Sequence, residues 1–215
     1  VWEGAIAVDE ALAAADKAVL FKTFTKAWFQ KRELMATFMA KWSMDYPGQS
    51  GHCHQSLFDK STGQSVFYDK NDAHGMSRIQ KQYVAGLQKY LRPLLAITSP
   101  TINSYTRLVK GAWAPTASTW GVENRTTALR VIPGSDKSQR VEFRIGSADA
   151  NPYLVAAATL GAGLLGIEQE LELGDPVVGN AYDIQDSLPV ECQLPTNLRD
   201  AARLLDASEA GREIF

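Results

Sequence analysis

Two histidines separated by a single residue are the first candidates for chemistry in this sequence. His52 and His54 follow a turn-forming Pro-Gly pair. On a β-strand, residues two apart point to the same face, so both imidazoles would open into one space. Neutral imidazole is a good ligand for a divalent cation, and a second imidazole beside it could donate to a phosphate. Taken alone, the spacing is more typical of ordinary hydrogen-bonded histidines.

A carboxylate between two guanidinium groups forms the second cluster. Arg140, Glu142 and Arg144 share a period of two, which places them on one face of a strand, while Val141 and Phe143 face the core. Such a glutamate could hold a cation while the arginines bind carboxylate or phosphate in bidentate fashion. A solvated, salt-bridged face of an antiparallel sheet is the competing interpretation of this cluster.

Further basic residues lie in predicted loops and strand ends: Arg107, Arg125, Arg130 and Lys137. They form a basic set in a chain whose net charge is -2. A site for a nucleotide triphosphate and a dicarboxylic acid requires such a set. Nucleic acid is a poor alternative partner, because the chain lacks a basic helix and a recognised nucleic-acid-binding motif.

Helices and strands that alternate along the chain must position these residues. Helical spacing of apolar residues predicts helices over Asp9–Lys31, with Asp9 as N-cap, and over Ser77–Leu95, Tyr153–Leu173 and Asn197–Leu205. Apolar and alternating segments predict strands over Ala36–Trp42, His52–Leu57, Thr127–Ile132 and Arg140–Ile145. The segment Thr101–Thr119 is predicted to be a loop. Helices alternating with paired strands indicate an α+β fold in one domain.

Composition sets the broad class of the protein. The 215 residues are 45% hydrophobic and 21% charged, as in ordinary globular domains. The two cysteines form no C-x-x-C pair, which argues against a disulfide framework or a structural zinc site. No apolar run approaches the roughly 20 residues of a spanning helix. We therefore expect a cytoplasmic protein with no membrane or nucleic-acid partner.

The order of several motifs along the chain resembles that of the glutamine synthetase family. The resemblance extends from Glu3 to about Leu173 and is weaker in the tail. The matching runs are residues 36–41, 51–57, 103–109, 123–126, 140–144 and 150–154. Each cluster alone favours a structural interpretation, but several motifs in the family's order make a chance match very improbable.

The resemblance implies roles for individual residues. Metal ligands for Mg²⁺ or Mn²⁺ would be Glu3, His52 and Glu142. Residues around the phosphates and nucleotide of ATP would be His54 and Ser56, together with Lys137 in the phosphate-side loop. The carboxylates of glutamate would be held by Arg107, Arg144 and the backbone of Gly48. Phosphate binding and charge stabilisation during transfer would fall to Arg125, Arg130 and Arg140.

The family's architecture gives further expectations. An antiparallel sheet would form the active-site half-barrel, with helices packed against it. Residues 1–215 would be a partial catalytic domain, lacking the family's N-terminal β-grasp domain and its C-terminal end. The full-length protein would form a homo-oligomeric ring and act on glutamate, ATP and an amine. This chain alone would be inactive, because the N-terminal domain of a neighbouring subunit completes the site.

Trp113 is the main departure from the family pattern. Ammonia-using members typically carry a glutamate there, which helps to bind ammonium, whereas an indole offers an apolar wall suited to cation–π contact. We therefore expect an organic amine as nitrogen donor and a γ-glutamylamide as product. An ordinary ammonia-using glutamine synthetase and a non-catalytic structural relative are the alternatives. Tyr182 roughly matches a tyrosine that some bacterial members adenylylate, but an exposed loop tyrosine is the simpler expectation.

Overall fold

The computed structural model describes residues 2–215, which form a small sheet with helices packed against it. The helices are α1 (Ala11–Gln30), α2 (Arg78–Leu91), α3 (Leu95–Thr98), α4 (Ile102–Arg107), α5 (Pro152–Glu168), α6 (Ala181–Ile184), α7 (Leu198–Asp206) and α8 (Glu209–Ile214). The strands are β1 (Cys53–Gln55), β2 (Trp120–Val122), β3 (Leu129–Ile132) and β4 (Arg140–Phe143). Within the described residues, no helix is both long and apolar enough to cross a membrane.

The sheet has the strand order β1-β4-β3-β2. β4 pairs antiparallel with β1 and β3, as predicted, whereas β2 pairs parallel with β3. The register sets Glu142 opposite both His54 and Arg130. His54, Glu142 and Arg130 therefore lie side by side across β1, β4 and β3. We call this line of side chains the polar row.

Alternation along β3 and β4 separates the core from this polar row. Leu129, Val131, Val141 and Phe143 are buried and join the hydrophobic core. Helices α2 and α5 pack closely in that core. A Cβ on Gly86 would collide with the carbonyl oxygen of Ala162, so only glycine allows the two helices to approach this closely.

The helices predicted near Ser77, Tyr153 and Asn197 are confirmed. Ser77 and Asn197 cap α2 and α7 by accepting hydrogen bonds from backbone N–H groups within the first turn. The prediction of Asp9 as an N-cap is wrong. α1 begins after Glu10, and the Asp9 carboxylate instead accepts from Glu10 N and pairs with Lys17.

Two loop and strand predictions are also wrong. Residues 36–42 form no strand, because Lys41 exchanges its backbone hydrogen bonds with the Asn103 side chain (2.9 and 2.7 Å) instead of with a neighbouring strand. The predicted loop Thr101–Thr119 contains α4, whose first turn is closed by a capping box between Thr101 and Ser104. This short helix carries Arg107 at its end.

Candidate active site

Glu142 lies at the centre of the polar row. Its carboxylate is 3.0 Å from His52 Nδ1 and 3.7 Å from His54 Nε2. Arg144 Nη1 donates to Oε1 at 2.9 Å, and Arg130 Nη1 donates to Oε2 at 3.3 Å. The predicted common face of His52 and His54 is therefore present, and the strand register adds Arg130 to it.

The charges around Glu142 keep it ionised. Burial of the carboxyl raises its pKa, but the hydrogen bond from His52 and the charge of Arg144 outweigh burial and bring the pKa down to about 2. The side chain is almost fully buried, at 3% exposure. A buried carboxylate with both oxygens paired is a structural anchor as well as a candidate ligand.

Acid should therefore weaken the fold through Glu142. A group whose pKa is depressed in the folded state stabilises it above its ordinary pKa, here 4.5, and loses that contribution as the pH falls toward about 2. Urea unfolding at several pH values should show a decline in the free energy of unfolding over this interval. A Glu142→Gln variant should decline less, and an equal decline in both proteins would contradict this assignment.

His54 is held in a form that can accept a hydrogen bond. Burial, opposed by the attraction of Glu142, lowers the pKa of His54, and the positive charge of Arg140 lowers it further. Arg140 Nε donates to His54 Nδ1 at 3.3 Å. Ser56 follows β1 and is half-buried. The predicted nucleotide-side residues His54 and Arg140 are thus in contact.

Arg107 and Arg144 form a second part of the site. Arg107 is 3% exposed, and its Nη2 donates to the carbonyl oxygens of Ile145 and Gly146. Burial lowers the pKa of Arg107 to about 10, which leaves the guanidinium charged at neutral pH. Within residues 2–215, the buried Nε atoms of both arginines have no hydrogen-bond partner. Unsatisfied cationic donors of this kind fit a carboxylate ligand.

Gly48 lies directly against Arg107. A Cβ at Gly48 would come within 2.5 Å of Arg107 Cγ, so a larger residue could not share this position without displacing the arginine. The predicted grouping of Gly48, Arg107 and Arg144 is therefore compatible with the geometry. Their binding of a substrate carboxylate stays a prediction.

Three other predicted site residues are exposed to solvent. Arg125 and Lys137 are exposed, and across residues 2–215 their side chains form no salt bridge. Trp113 is 80% exposed in the loop after α4 and has a φ of 58°. The left-handed conformation is uncommon for a bulky residue, and such strain tends to occur at functional positions. Their roles also stay predictions.

The metal prediction is only partly matched by the geometry. His52 and Glu142 supply an imidazole and an ionised carboxylate, which are suitable ligand types for a divalent cation. Glu3 is exposed in the segment before α1. No three His, Cys, Asp or Glu side chains in the described part of the chain gather into a metal-binding group. Arg144 and Arg130 each donate to one Glu142 oxygen, so a cation bound there would share the carboxylate with them.

Sequence reasoning missed Glu123 and Asp149, which support the site, and expected Tyr182 to be exposed. Glu123 has a φ of 50° and pairs with Arg130. Asp149 accepts a hydrogen bond from Thr101 Oγ1 at 2.8 Å and supplies negative charge near Arg107. Tyr182 is half-buried, not exposed as expected, and the charges of Arg144 and Arg107 reach its hydroxyl. Glu123 lay within a matching motif and Tyr182 was noted by resemblance, whereas the sequence offered no signal for Asp149.

The fold and the site together define an α+β domain whose sheet carries a row of charged side chains on one face. Residues 2–215 match the family described as glutamine synthetase, catalytic domain. The chain therefore belongs to the glutamine synthetase family, through its catalytic domain, and the fold predicted from the resemblance is confirmed.

Relatives within the family differ in their named activities. The chain is 46% identical to type-1 glutamine synthetase 2 of Dictyostelium discoideum, covering 99% of this chain and 41% of the relative. It is 42% identical to a glutamate–isopropylamine ligase of a Pseudomonas species, covering 100% and 46%. It is 40% identical to a gamma-glutamylethanolamide synthetase of Streptomyces coelicolor, covering 99% and 44%.

Solved structures show the same fold. A GmaS/ADP complex superimposes with a TM-score of 0.86 at 36% identity, covering 96% of this chain and 48% of the other. GmaS without ligand gives a TM-score of 0.85 at 35% identity, covering 95% and 46%. The chain thus spans less than half the length of these curated relatives and structures.

Proposed function

We propose that the full-length protein is an ATP-dependent ligase that joins the γ-carboxylate of glutamate to an organic amine. One observation carries this proposal: a carboxylate clamp, formed by Arg107 and Arg144, occurs in the same site as the polar row around Glu142. A carboxylate is a poor electrophile, so activation by phosphoryl transfer is the chemistry that these two neighbouring anion sites would serve.

Two steps follow from this arrangement. The γ-phosphoryl group of ATP passes to a γ-carboxylate oxygen of glutamate, which gives γ-glutamyl phosphate and ADP. The neutral amine then attacks the acyl carbon, the carbon–oxygen bond to phosphate breaks, and the nitrogen loses a proton. In this proposal the amide product and inorganic phosphate are released, and no side chain acts as a covalent nucleophile.

The chain's own residues would bind and orient the reactants. Arg107 and Arg144 hold the glutamate carboxylates, and Gly48 leaves room beside them. Arg130 and Arg140, with Arg125 and Lys137 from the exposed loops, supply positive potential for the transferred phosphoryl group. His54 and Ser56 line the nucleotide side. A Mg²⁺ or Mn²⁺ ion, held by His52 and Glu142 with Glu3, would neutralise charge on the phosphate oxygens.

Trp113 favours an organic donor over ammonia. An exposed indole in a left-handed loop position presents apolar surface and a π-face. An alkyl-ammonium group can contact both, whereas ammonium can use only the cation–π interaction. Two of the relatives are named for isopropylamine and for gamma-glutamylethanolamide. Both names are consistent with a γ-glutamylamide product here.

Phosphate release by the full-length protein tests the proposal. The assay contains ATP, magnesium and glutamate, with ammonia compared against alkyl amines, ethanolamine and polyamines. We expect release to require both glutamate and an amine, and an organic amine to be the fastest donor. Fastest release with ammonia would indicate an ordinary glutamine synthetase. No phosphate release with any donor, in a folded protein that binds ATP, would indicate a non-catalytic relative.

A further inference from the structure

Residues 133–139 form the loop that joins β3 to β4 and leads directly into Arg140. Within it, Ser138 N donates to the carbonyl oxygen of Ser135 at 3.0 Å, and Ser135 N donates to Ser138 Oγ at 2.8 Å. Residues 134–138 are all exposed. The loop is therefore closed on itself but buries nothing in its middle, and its position on the protein depends on its ends.

The last residue of this loop, Gln139, ties it to the rest of the protein. Gln139 is 1% exposed. Its Oε1 accepts from Gly134 N at 2.9 Å, across the base of the loop. Its Nε2 donates to Gln80 Oε1 at 2.6 Å and to the carbonyl oxygen of His74 at 3.2 Å. One buried amide thus joins both ends of the loop to α2 and to the segment before α2.

Gln80 gives Gln139 a fixed partner. It is fully buried in the first turn of α2, and its backbone N–H donates to the cap residue Ser77 at 3.1 Å. Its own Nε2 has no hydrogen-bond partner within residues 2–215. Gly75 lies against the same amide, since a Cβ there would be 3.0 Å from Gln139 Oε1. The amide of Gln139 is therefore closely packed as well as hydrogen-bonded.

The loop in turn holds the guanidinium of Arg140. Neighbouring residues of a strand point to opposite faces, so Gln139 faces α2 while Arg140 faces the polar row. Arg140 Nη1 donates to the carbonyl oxygen of Ser138 at 2.9 Å, and its Nε donates to His54 Nδ1 at 3.3 Å. Because Ser138 directly precedes Gln139, the buried amide sets the position of the carbonyl that orients Arg140.

We infer that Gln139 is a positioning residue, whose buried amide holds the 133–139 loop so that Arg140 is oriented to bind a nucleotide phosphate. The phosphate-binding role of Arg140 rests on the proposed function. Gln139 acts only through Arg140, because its own side chain is buried on the other face of β4. A guanidinium that is already held in place loses less side-chain freedom when it binds a phosphate.

Calorimetric titration of the full-length protein with ATP and magnesium, without glutamate or amine, tests the inference. Gln139→Met keeps the length of the side chain but removes its amide. We expect the Kd for ATP to rise about tenfold, as for loss of a hydrogen bond to a charged group. The Kd for glutamate, measured without nucleotide, should stay within about twofold of that of the unsubstituted protein.

A double-mutant cycle with Arg140→Ala separates positioning from a general effect on the fold. If Gln139 acts through Arg140, the two substitutions are not additive. In the Arg140→Ala background, Gln139→Met should therefore raise the Kd for ATP less than about twofold. A tenfold rise in that background as well would overturn the inference.

Gln80→Met provides a milder test of the same contact if Gln139→Met does not fold. It removes the acceptor of Gln139 together with a donor that has no partner in the described chain, and it leaves the bond to His74 in place. We expect the Kd for ATP to rise about threefold. An unchanged Kd for ATP in this variant would also overturn the inference.

Gln185→Met is the matched control. Gln185 is also a buried glutamine, 2% exposed, but its Oε1 accepts from Thr116 Oγ1 at 2.7 Å, outside the 133–139 loop. Its substitution should leave the Kd for ATP unchanged. Unchanged ATP affinity in Gln139→Met, or equal weakening of ATP and glutamate binding, would overturn the inference alone. Failure of the unsubstituted protein to bind ATP would contradict the proposed function together with the inference.

Discussion

Replacing Glu142 with glutamine should lower the free energy of unfolding by about 3 kcal/mol. The substitution keeps the shape of the side chain but removes the charge that faces Arg144, Arg130 and His52. The half-buried Arg144 guanidinium would then lack its counter-charge and Arg130 would keep only Glu123, which costs more than the loss of an exposed pair. Glutamate-dependent phosphate release should fall about a hundredfold or more, because the same carboxylate orients Arg144 and Arg130.

Glu123→Gln is the control for this effect. Glu123 also pairs with Arg130, but its side chain is half exposed. Solvent screening limits such a pair to about 0–1 kcal/mol of stability. Urea unfolding of both variants measures the difference. Equal losses, or a loss below about 1 kcal/mol for Glu142→Gln, would show that the polar row is not an integrated charge network.

Replacing Trp113 with glutamate should shift the donor preference toward ammonia by at least about tenfold. The preference is the ratio of kcat/KM for the best organic amine to kcat/KM for ammonia. Loss of the indole removes apolar contact with the alkyl group, which is worth about 1–3 kcal/mol for a small substituent. The new carboxylate supplies an anionic site for ammonium, as in ammonia-using members of the family.

Trp113→Gln separates the two contributions. Glutamine has nearly the size of glutamate but no charge, so this variant should lose organic-amine activity without gaining ammonia activity. Because Trp113 is 80% exposed, neither substitution should alter the free energy of unfolding appreciably. An unchanged preference in both variants would exclude Trp113 as the determinant of the donor.

Local pattern was sufficient to predict much of the site. A period of two placed His52 with His54, and Arg140 with Glu142 and Arg144, on common faces, and the structure shows both groups along the polar row. The helix starts near Ser77 and Asn197 were also predicted, and both residues cap their helices within the first turn. Features decided by neighbouring residues in the chain were thus accessible from sequence.

Contacts between distant segments could not be predicted in the same way. Arg130 meets Glu142 only because β3 and β4 pair in one register, and a shift of one residue would place Arg130 on the opposite face. Residues 36–42 look like a strand, but Lys41 within them bonds to the Asn103 side chain. The charge of Arg107 acts on Tyr182 although the two residues are 75 positions apart in sequence, and no local pattern indicates this.

A competition between two nitrogen donors tests the central claim most directly. The full-length protein is supplied with ATP, magnesium, glutamate and equal concentrations of ammonia and the best organic amine, and the products are identified by mass spectrometry. We predict that the γ-glutamylamide exceeds glutamine by about tenfold. Glutamine as the main product would contradict the assignment of an organic amine as the donor.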